Sequence, residues 1–207
     1  MGTIDKGMRV LGAVEAAGPS PLADLVAATG LSRATTHRLA VALEAHGLLR
    51  RTDDGRFALG LRLVGLGRAA ADGLPLAEAA RPALARLRDE TGESVQLYVR
   101  SGHERVCVAS LESPHGLRTI VPMGAALPLD RGSAGRVLTT ATTGWVDSVE
   151  ERERGVASVS AAVRGPGGDV VAAVSVSGPL ERTTRTPGSR YGEAVVAAAR
   201  AVEALLP

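Results

Sequence analysis

The segment SRATTHRLAVALEAH, residues 32–46, has the pattern of a capped amphipathic helix. Ser32 is a favourable N-cap, and Gly47 follows where a helix would end. The apolar positions fall mostly on one helical face: Leu39, Val41, Ala42 and Leu43. The exposed face of the first two turns is predicted to carry Arg33, Thr35, Thr36, His37 and Arg38. Fixed positive charge beside short hydroxyls suits phosphates and base edges in a major groove.

The residues on either side of this helix extend the pattern. Residues 21–29 indicate a shorter helix, and Gly30-Leu31 a tight turn. Together with residues 32–46 they predict a helix-turn-helix, which follows an opening helix at residues 4–17. Helix spacing alone is a weak signal. Residues 48–59, however, predict a β-hairpin, since Asp54-Gly55 favours a primed turn. Its arginines would contact phosphates and make the motif a winged one: Arg50, Arg51 and Arg56.

Composition bounds the class of protein. The 207 residues suit two small domains or one large one, and 45% of them are hydrophobic. One Trp, two Tyr and one Phe leave little for stacking single-stranded bases. A net charge of +2 is weak evidence for or against nucleic acid. No apolar run reaches the roughly 18 residues of a membrane span, so we expect a cytoplasmic protein without a membrane partner.

The second half of the chain changes from helical to strand periodicity. Residues 61–71 predict a half-buried linker helix with Leu61, Val64 and Leu66 on its apolar side, and residues 74–91 a longer helix. Strands are expected at 94–100, 105–111 and 117–121, and at 156–164 and 170–177 around a Gly-rich turn. A short helix near residues 133–140 and a last one at 189–206 complete an α+β domain with an antiparallel sheet.

Several motifs resemble a known family. Gly-Leu-Ser-Arg-Ala-Thr-Thr-His-Arg-Leu from residue 30, His-Gly-Leu-Leu from residue 46 and Gly-Arg-Phe-Ala-Leu-Gly from residue 55 resemble the winged helix-turn-helix of the IclR family of bacterial transcription regulators. Ala34 departs from the Ser often found there. Thr-Gly-Glu-Ser-Val-Gln-Leu from residue 91, Gly-Ser-Ala-Gly-Arg from residue 132 and Ala-Val-Ser-Val-Ser-Gly-Pro from residue 173 resemble that family's GAF-like effector-binding domain.

The resemblance implies a domain organisation and a function. Residues 1–60 would form the DNA-binding domain, 61–73 a linker helix that contributes to dimer contacts, and 74–207 the effector-binding domain. The protein would be a ligand-responsive transcription regulator that binds double-stranded operator DNA as a homodimer or homotetramer. Residues 151–160 resemble the actinobacterial NdgR-type branch, tied to amino-acid metabolism, which suggests leucine or a branched-chain intermediate as the small-molecule effector. No cofactor is expected.

Candidate effector-binding residues follow partly from strand alternation and partly from the resemblance. Ser175 and Ser177 share one face of a strand, because successive side chains alternate. The resemblance places both in the effector site, beside Leu127, Ser133, Ala134, Val156 and Ser158. The turn at residues 132–135 either begins a helix whose free N–H groups bind an anion or satisfies only its own backbone. Glu151 is a candidate for a ligand's amino group, although residues in such charged segments usually lie on the surface.

Two other functions remain open from the residues. An enzyme would use Cys107 or a serine as nucleophile, but no base lies nearby in the sequence and a buried structural cysteine is favoured. A DNA-binding protein with a purely structural dimerisation domain is the other alternative. The histidine spacing gives no zinc site.

The connection after the short helix is unusually brief for the family. The resemblance implies about twenty more residues before Thr143-Gly144-Trp145. Either this chain lacks a helical segment or the sequence omits it. We favour omission, which predicts a Cα–Cα step well above 3.8 Å somewhere in residues 138–146.

Overall fold

The computed structural model describes residues 2–140 and 142–206. The chain divides between Gly73 and Leu74 into two compact units. The first unit contains α1 (Thr3–Ala17), α2 (Leu22–Thr29), α3 (Arg33–Ala45), β1 (Leu49–Arg51), β2 (Phe57–Leu59) and α4 (Arg62–Asp72). The second contains α5 (Pro75–Thr91), β3 (Ser94–Ser101), β4 (Glu104–Leu111), β5 (Ala126–Pro128), α6 (Ser133–Thr139), β6 (Trp145–Val149), β7 (Val156–Arg164), β8 (Val170–Pro179), α7 (Leu180–Thr183) and α8 (Pro187–Glu203).

The first unit packs three helices and a hairpin around a small apolar core. Val10 and Val14 of α1, Leu25 of α2, Leu39 of α3 and Phe57 of β2 meet there. The α2–α3 turn uses Gly30 in the left-handed conformation, with φ of 63°, where glycine carries no Cβ penalty. The Ser32 side chain caps α3 by accepting a hydrogen bond from the Thr35 backbone N–H. These contacts set the angle at which α3 leaves the turn.

The buried face of α3 differs from the predicted one. Thr36, Leu39 and Ala40 point into the core, whereas Val41 is 41% exposed and Ala42 is exposed. A helix that buries Leu39 also buries the residues three before and one after it, since each residue turns the chain by about 100°. Val41 falls on the opposite side for the same reason.

The wing turn is also of a different type from the predicted one. The Thr52 N–H donates to Arg56 O at 3.0 Å and the Gly55 N–H to Thr52 O at 2.9 Å. Gly55 has φ of 78°, but neither Asp53 nor Asp54 has positive φ, so the primed turn expected at Asp54-Gly55 is absent. The loop has three residues, with a glycine bulge that supplies the left-handed position.

Within the described residues, the second unit is built on a six-stranded antiparallel sheet of order β5-β4-β3-β8-β7-β6. Helices α5 and α8 cover one face through an apolar core that includes Leu84, Leu97, Val159 and Val174. Helix α6 packs on the opposite face, above Tyr98, Cys107 and Ala173. Side chains of β3, β7 and β8 therefore alternate between a dry core and the space under α6.

Two predicted elements of this unit need correction. Residues 117–121 form no strand; instead Thr119 O accepts a hydrogen bond from Ser94 Oγ at 2.6 Å and Val121 is buried. The strand that pairs with β4 is the short β5, which begins nine residues later than the predicted strand. Its register partners on β4 are Glu104, Arg105 and Val106. β6 was not predicted, because its Asp147 and Ser148 interrupt the apolar pattern.

Helix α4 is not the half-buried helix expected from the sequence. None of its described residues is buried, and Leu61, Val64 and Leu66 are 78%, 71% and 48% exposed. Its start is fixed by Arg62, whose Nη1 donates to His46 O at 3.1 Å. No described helix is long and apolar enough to cross a membrane.

Candidate functional site

Helix α3 and the wing form the walls of one surface groove. Pro21 and Leu22 at the start of α2, Arg33 and His37 of α3, and the wing residues 51 and 54–57 line it. Arg38 lies exposed on the next turn of α3, and Thr35 is half-buried. The fold thus brings together arginines that lie more than fifteen positions apart in the sequence, which gives a cationic surface next to an exposed helix end.

Thr36 does not belong to this surface. Its side chain is fully buried, and its Oγ1 donates to the Ser32 backbone O at 3.1 Å. A hydroxyl that bonds back to the preceding turn of its own helix has no free donor for DNA. The prediction that Thr36 contacts DNA is therefore wrong, and its role is to support the α2–α3 turn.

The wing arginines have different surroundings. Arg51 lies with its guanidinium 3.9 Å from the centre of the Phe57 ring, and its Nη1 donates to Gly55 O at 3.0 Å. Arg56 pairs with Asp54 at 2.8 Å. The pKa of Asp54 is lowered, first by its hydrogen bond with Thr52 and then by Arg56. Arg50 is exposed and, among the described residues, has no ion-pair partner.

The second unit holds a small polar cavity between α6 and the sheet. Six of the predicted effector residues line it: Ser133, Ala134, Val156, Ser158, Ser175 and Ser177. Gly132, from the turn singled out in the sequence, also lines it, and the sequence reasoning missed four others: Tyr98, Arg105, Ser148 and Arg152. Its volume is about 30 Å³, far below the roughly 300–1,000 Å³ of pockets that hold a small molecule. In this conformation the site is closed.

A chain of serine hydroxyls closes the cavity. Ser133 Oγ of α6 lies 2.8 Å from Ser158 Oγ and 2.7 Å from Ser160 Oγ. Ser160 Oγ donates to Ser175 Oγ at 2.9 Å, and Ser148 Oγ lies 3.0 Å from Ser158 Oγ. Ser160 was missed by the sequence reasoning, although its spacing of two from Ser158 places both on one strand face. The network connects α6 to three strands without any charged group.

Two predicted effector residues lie outside the cavity. Leu127 is the register partner of Arg105 across β5 and β4, and it packs against the apolar cluster under α6. The Glu151 carboxylate accepts the Gly132 N–H at 2.9 Å and pairs with Arg136 at 3.0 Å. Glu151 therefore occupies the backbone N–H that was a candidate for a ligand anion, and its charge is already compensated. Neither residue lines the site as predicted.

Cys107 has the surroundings of a structural residue. Its side chain is fully buried, its Sγ lies 3.3 Å from Ala109 O, and burial raises the pKa of the thiol to about 12. A nucleophilic cysteine needs a lowered pKa and access to substrate. Within the described residues, no group of three His, Cys, Asp or Glu side chains could hold a metal ion.

A winged helix-turn-helix followed by an α+β domain with a polar cavity defines the class of ligand-binding transcription regulators. Residues 3–53 match the model of the IclR helix-turn-helix domain, and residues 68–143 and 139–204 match that of the bacterial transcriptional regulator IclR C-terminal domain. The chain belongs to the IclR family of DNA-binding transcription regulators, whose C-terminal domain binds ligands.

Individual relatives agree with this assignment. The HTH-type transcriptional regulator KipR of Bacillus subtilis is 34% identical over 56% of this chain, and this chain covers 46% of KipR. The transcriptional repressor IclR of Escherichia coli is 24% identical over 97% of this chain and 88% of that protein. An IclR homolog from Microbacterium hydrocarbonoxydans has the same fold, with a TM-score of 0.79, 20% identity and 98% of each chain covered.

The comparisons also bear on the short connection after α6. The C-terminal family model matches in two segments that meet at residues 139–143. The alignment with E. coli IclR spans 241 positions, more than the 207 residues of this chain, so that relative carries residues that this chain lacks. The Thr142 N–H donates to Thr140 O at 2.9 Å, which joins the two sides closely. The long Cα–Cα step expected within residues 138–146 stays a prediction, and Ala141 of that range lies outside the described residues.

Proposed function

We propose that the protein is a metabolite-responsive regulator in which α3 binds the major groove and the wing contacts phosphates. Arg33, Thr35, His37 and Arg38 would face the bases, and Arg50, Arg51 and Arg56 the backbone. The observation that carries this proposal is the shared groove, in which α3 and wing side chains lie together. In this proposal residues 1–60 bind DNA, 61–73 link, and 74–207 bind the effector. As a DNA-binding protein it would act in the cytoplasm.

The effector site is proposed at the cavity under α6. The site offers the hydroxyls of Ser133, Ser158, Ser175 and Ser177. A ligand would have to separate these side chains, because a cavity volume of about 30 Å³ is too small for a metabolite. The resemblance of residues 151–160 to the NdgR-type branch supports leucine or a branched-chain intermediate. An IclR homolog of the same fold was crystallised with 4-hydroxybenzoate. Parting the serines would move α6 against the sheet.

The proposal includes a homodimer or a homotetramer. The exposed apolar residues of α4 support a helix that packs against a second copy, because an amphipathic helix without a partner leaves its apolar side in water. Dimers of this kind bind half-sites ~34 Å apart along the duplex. A change at the effector site that altered the spacing of two DNA-binding domains would then change operator affinity.

The test is a titration of the full-length protein onto duplex DNA from upstream of its own gene, with nonspecific competitor, and with or without single amino acids. Specific binding is expected, and Arg38→Ala should weaken it by about 1–3 kcal/mol. Arg86→Ala, an exposed arginine of α5, is the matched control and should bind as the parent does. Equal displacement by any competitor sequence would contradict the proposal.

The response of operator binding to a ligand distinguishes a sensing C-terminal domain from a purely structural dimerisation domain. An amino acid that shifts specific binding supports a sensing domain. Specific binding that no small molecule alters would favour a purely structural dimerisation domain. The hydroxyl-lined cavity is the observation that favours sensing, since a closed structural core would be filled with apolar side chains.

A further inference from the structure

Asp54 is an acidic residue on a surface whose other charges are positive. It lines the groove between α3 and the wing together with Arg33, Arg51 and Arg56, and among the described residues it is the one acid that does so. A carboxylate that faces duplex DNA is repelled by the phosphates. In this position it opposes binding unless it acts on a neighbouring group, and its contacts show which group that is.

The Asp54 carboxylate is fixed from two sides. Its Oδ1 accepts a hydrogen bond from Thr52 Oγ1 at 2.5 Å, and its Oδ2 accepts one from Arg56 Nε at 2.8 Å. The Thr52 hydroxyl also accepts the Arg56 backbone N–H at 3.0 Å. These bonds lower the pKa of Asp54, with the Thr52 bond as the largest cause, so the carboxylate is ionised at neutral pH. Both the backbone and the side chain of Arg56 are thereby held within the wing turn.

The contact with Asp54 uses only the inner nitrogen of the Arg56 guanidinium. Arginine carries N–H groups on Nε and on two terminal nitrogens. Within the part of the chain that the structure describes, the guanidinium donates no hydrogen bond other than the one from Nε, and its side chain is 51% exposed. The terminal N–H groups therefore stay available, and their planar fork matches two oxygens of one phosphate.

The fold of the wing does not depend on this ion pair. The Gly55 N–H donates to Thr52 O at 2.9 Å and the Thr52 N–H to Arg56 O at 3.0 Å, so backbone hydrogen bonds close the turn. The side chains of Arg56 and Asp54 are 51% and 62% exposed. Ion pairs this exposed add little stability, because water screens the charges and ordering the side chains costs entropy. What the carboxylate determines is the orientation of Arg56.

From these contacts we infer that Asp54 is a positioning residue, whose carboxylate orients the Arg56 guanidinium so that its terminal N–H groups meet a DNA phosphate. The inference rests on the proposed DNA-binding function and deepens it. A free arginine side chain loses rotamer entropy when it is immobilised by DNA, and one that is oriented beforehand loses less. Asp54 then strengthens DNA binding despite its negative charge, which is the opposite of what charge alone predicts.

Alanine substitutions at the two neighbouring aspartates of the wing test this sign. Asp53 is exposed and lies outside the groove lining, so Asp53→Ala removes the same charge without removing the contact to Arg56. Neither aspartate has positive φ, so alanine fits both positions. Fluorescence anisotropy of a labelled duplex measures binding by the full-length protein. One duplex comes from upstream of its own gene, and an unrelated one is used at low salt. Phosphate contacts carry no sequence information, so the variants should rank in the same order on both.

Asp54→Ala should weaken binding to both duplexes at least about threefold. Asp53→Ala should bind as tightly as the parent or more tightly, since it only removes a repulsive charge. In the Arg56→Ala protein, the further change Asp54→Ala should cause no additional loss, because the side chain that Asp54 orients is absent. A residue that merely supported the wing would weaken binding in both backgrounds. Thermal unfolding checks that all the variants are equally folded.

Three results would overturn the inference: Asp54→Ala binding as tightly as the parent, an equal loss in Asp53→Ala, or an undiminished loss from Asp54→Ala in the Arg56→Ala background. Failure of the proposed function has a different signature. If the parent bound both duplexes without sequence preference and Asp54→Ala weakened both, the proposed regulator would fail while the role of Asp54 would be supported. A parent that bound neither duplex would overturn both.

Discussion

Cys107 shows how burial changes the chemistry of a single residue. Its side chain lies fully buried on β4, and desolvation raises the pKa of the thiol from 9.0 to about 12. The folded state thus favours the protonated thiol. This contribution to stability is fully present below pH 9 and is lost as the pH rises from 9 towards 12, because only the unfolded thiol ionises in that range.

This shift predicts that Cys107 is unreactive in the folded protein. Thiolate is the reacting species, so iodoacetamide at about pH 8 should modify the native chain at least about a hundredfold more slowly than the chain in denaturant. Mass spectrometry of the alkylated protein over time measures both rates. Cys107→Ala serves as the blank for modification at other residues. Native labelling as fast as in denaturant would restore Cys107 as a candidate nucleophile.

Helix α4 presents the clearest prediction for an element. Val64 and Leu66 of this helix are exposed in a single chain. In the proposed dimer they would be buried against a second copy. We expect Leu66→Glu to shift the protein towards monomer in sedimentation velocity, since a charge would have to be buried at the contact. Arg68→Ala, on the polar side of α4 with a side chain 84% exposed, is the control. A dimer equally stable in both variants would place the contact elsewhere.

The elements were predictable where local pattern determines them. The helices that border α3 and the strands β3, β4, β7 and β8 follow from periodicity and from turn residues such as Gly30 and Gly92, both in the left-handed conformation. Strands β5 and β6 were missed because pairing with a neighbour, not their own apolar pattern, makes them strands. Edge strands of a sheet carry the weakest sequence signal for this reason.

Only some of the residues that line the cavity could be predicted from the sequence pattern. Serines spaced by two on β7 and β8 indicate a polar strand face, and the structure places Ser158, Ser175 and Ser177 around one space. Arg105 gave no such signal, because an arginine in an alternating strand is usually solvated. Only the tertiary packing of α6 over the sheet shows that this one is buried.

At the scale of the whole molecule, the regulator requires a coupling free energy between the effector site and the DNA-binding surface. Couplings of this kind are typically about 1–3 kcal/mol, or roughly 5- to 150-fold in affinity, and they are reciprocal. We therefore expect an effector that lowers operator affinity by some factor to bind the operator complex more weakly by the same factor. A ligand that raises operator affinity should show the reverse, with equal magnitude.

Two titrations on the same preparation measure this reciprocity: operator binding with and without saturating effector, and effector binding with and without saturating operator. Operator affinity that is the same with saturating effector as without would mean that the two units are not coupled, and the C-terminal domain would then serve assembly alone. A matched pair of factors would instead establish that the cavity under α6 and the groove beside α3 report on one equilibrium.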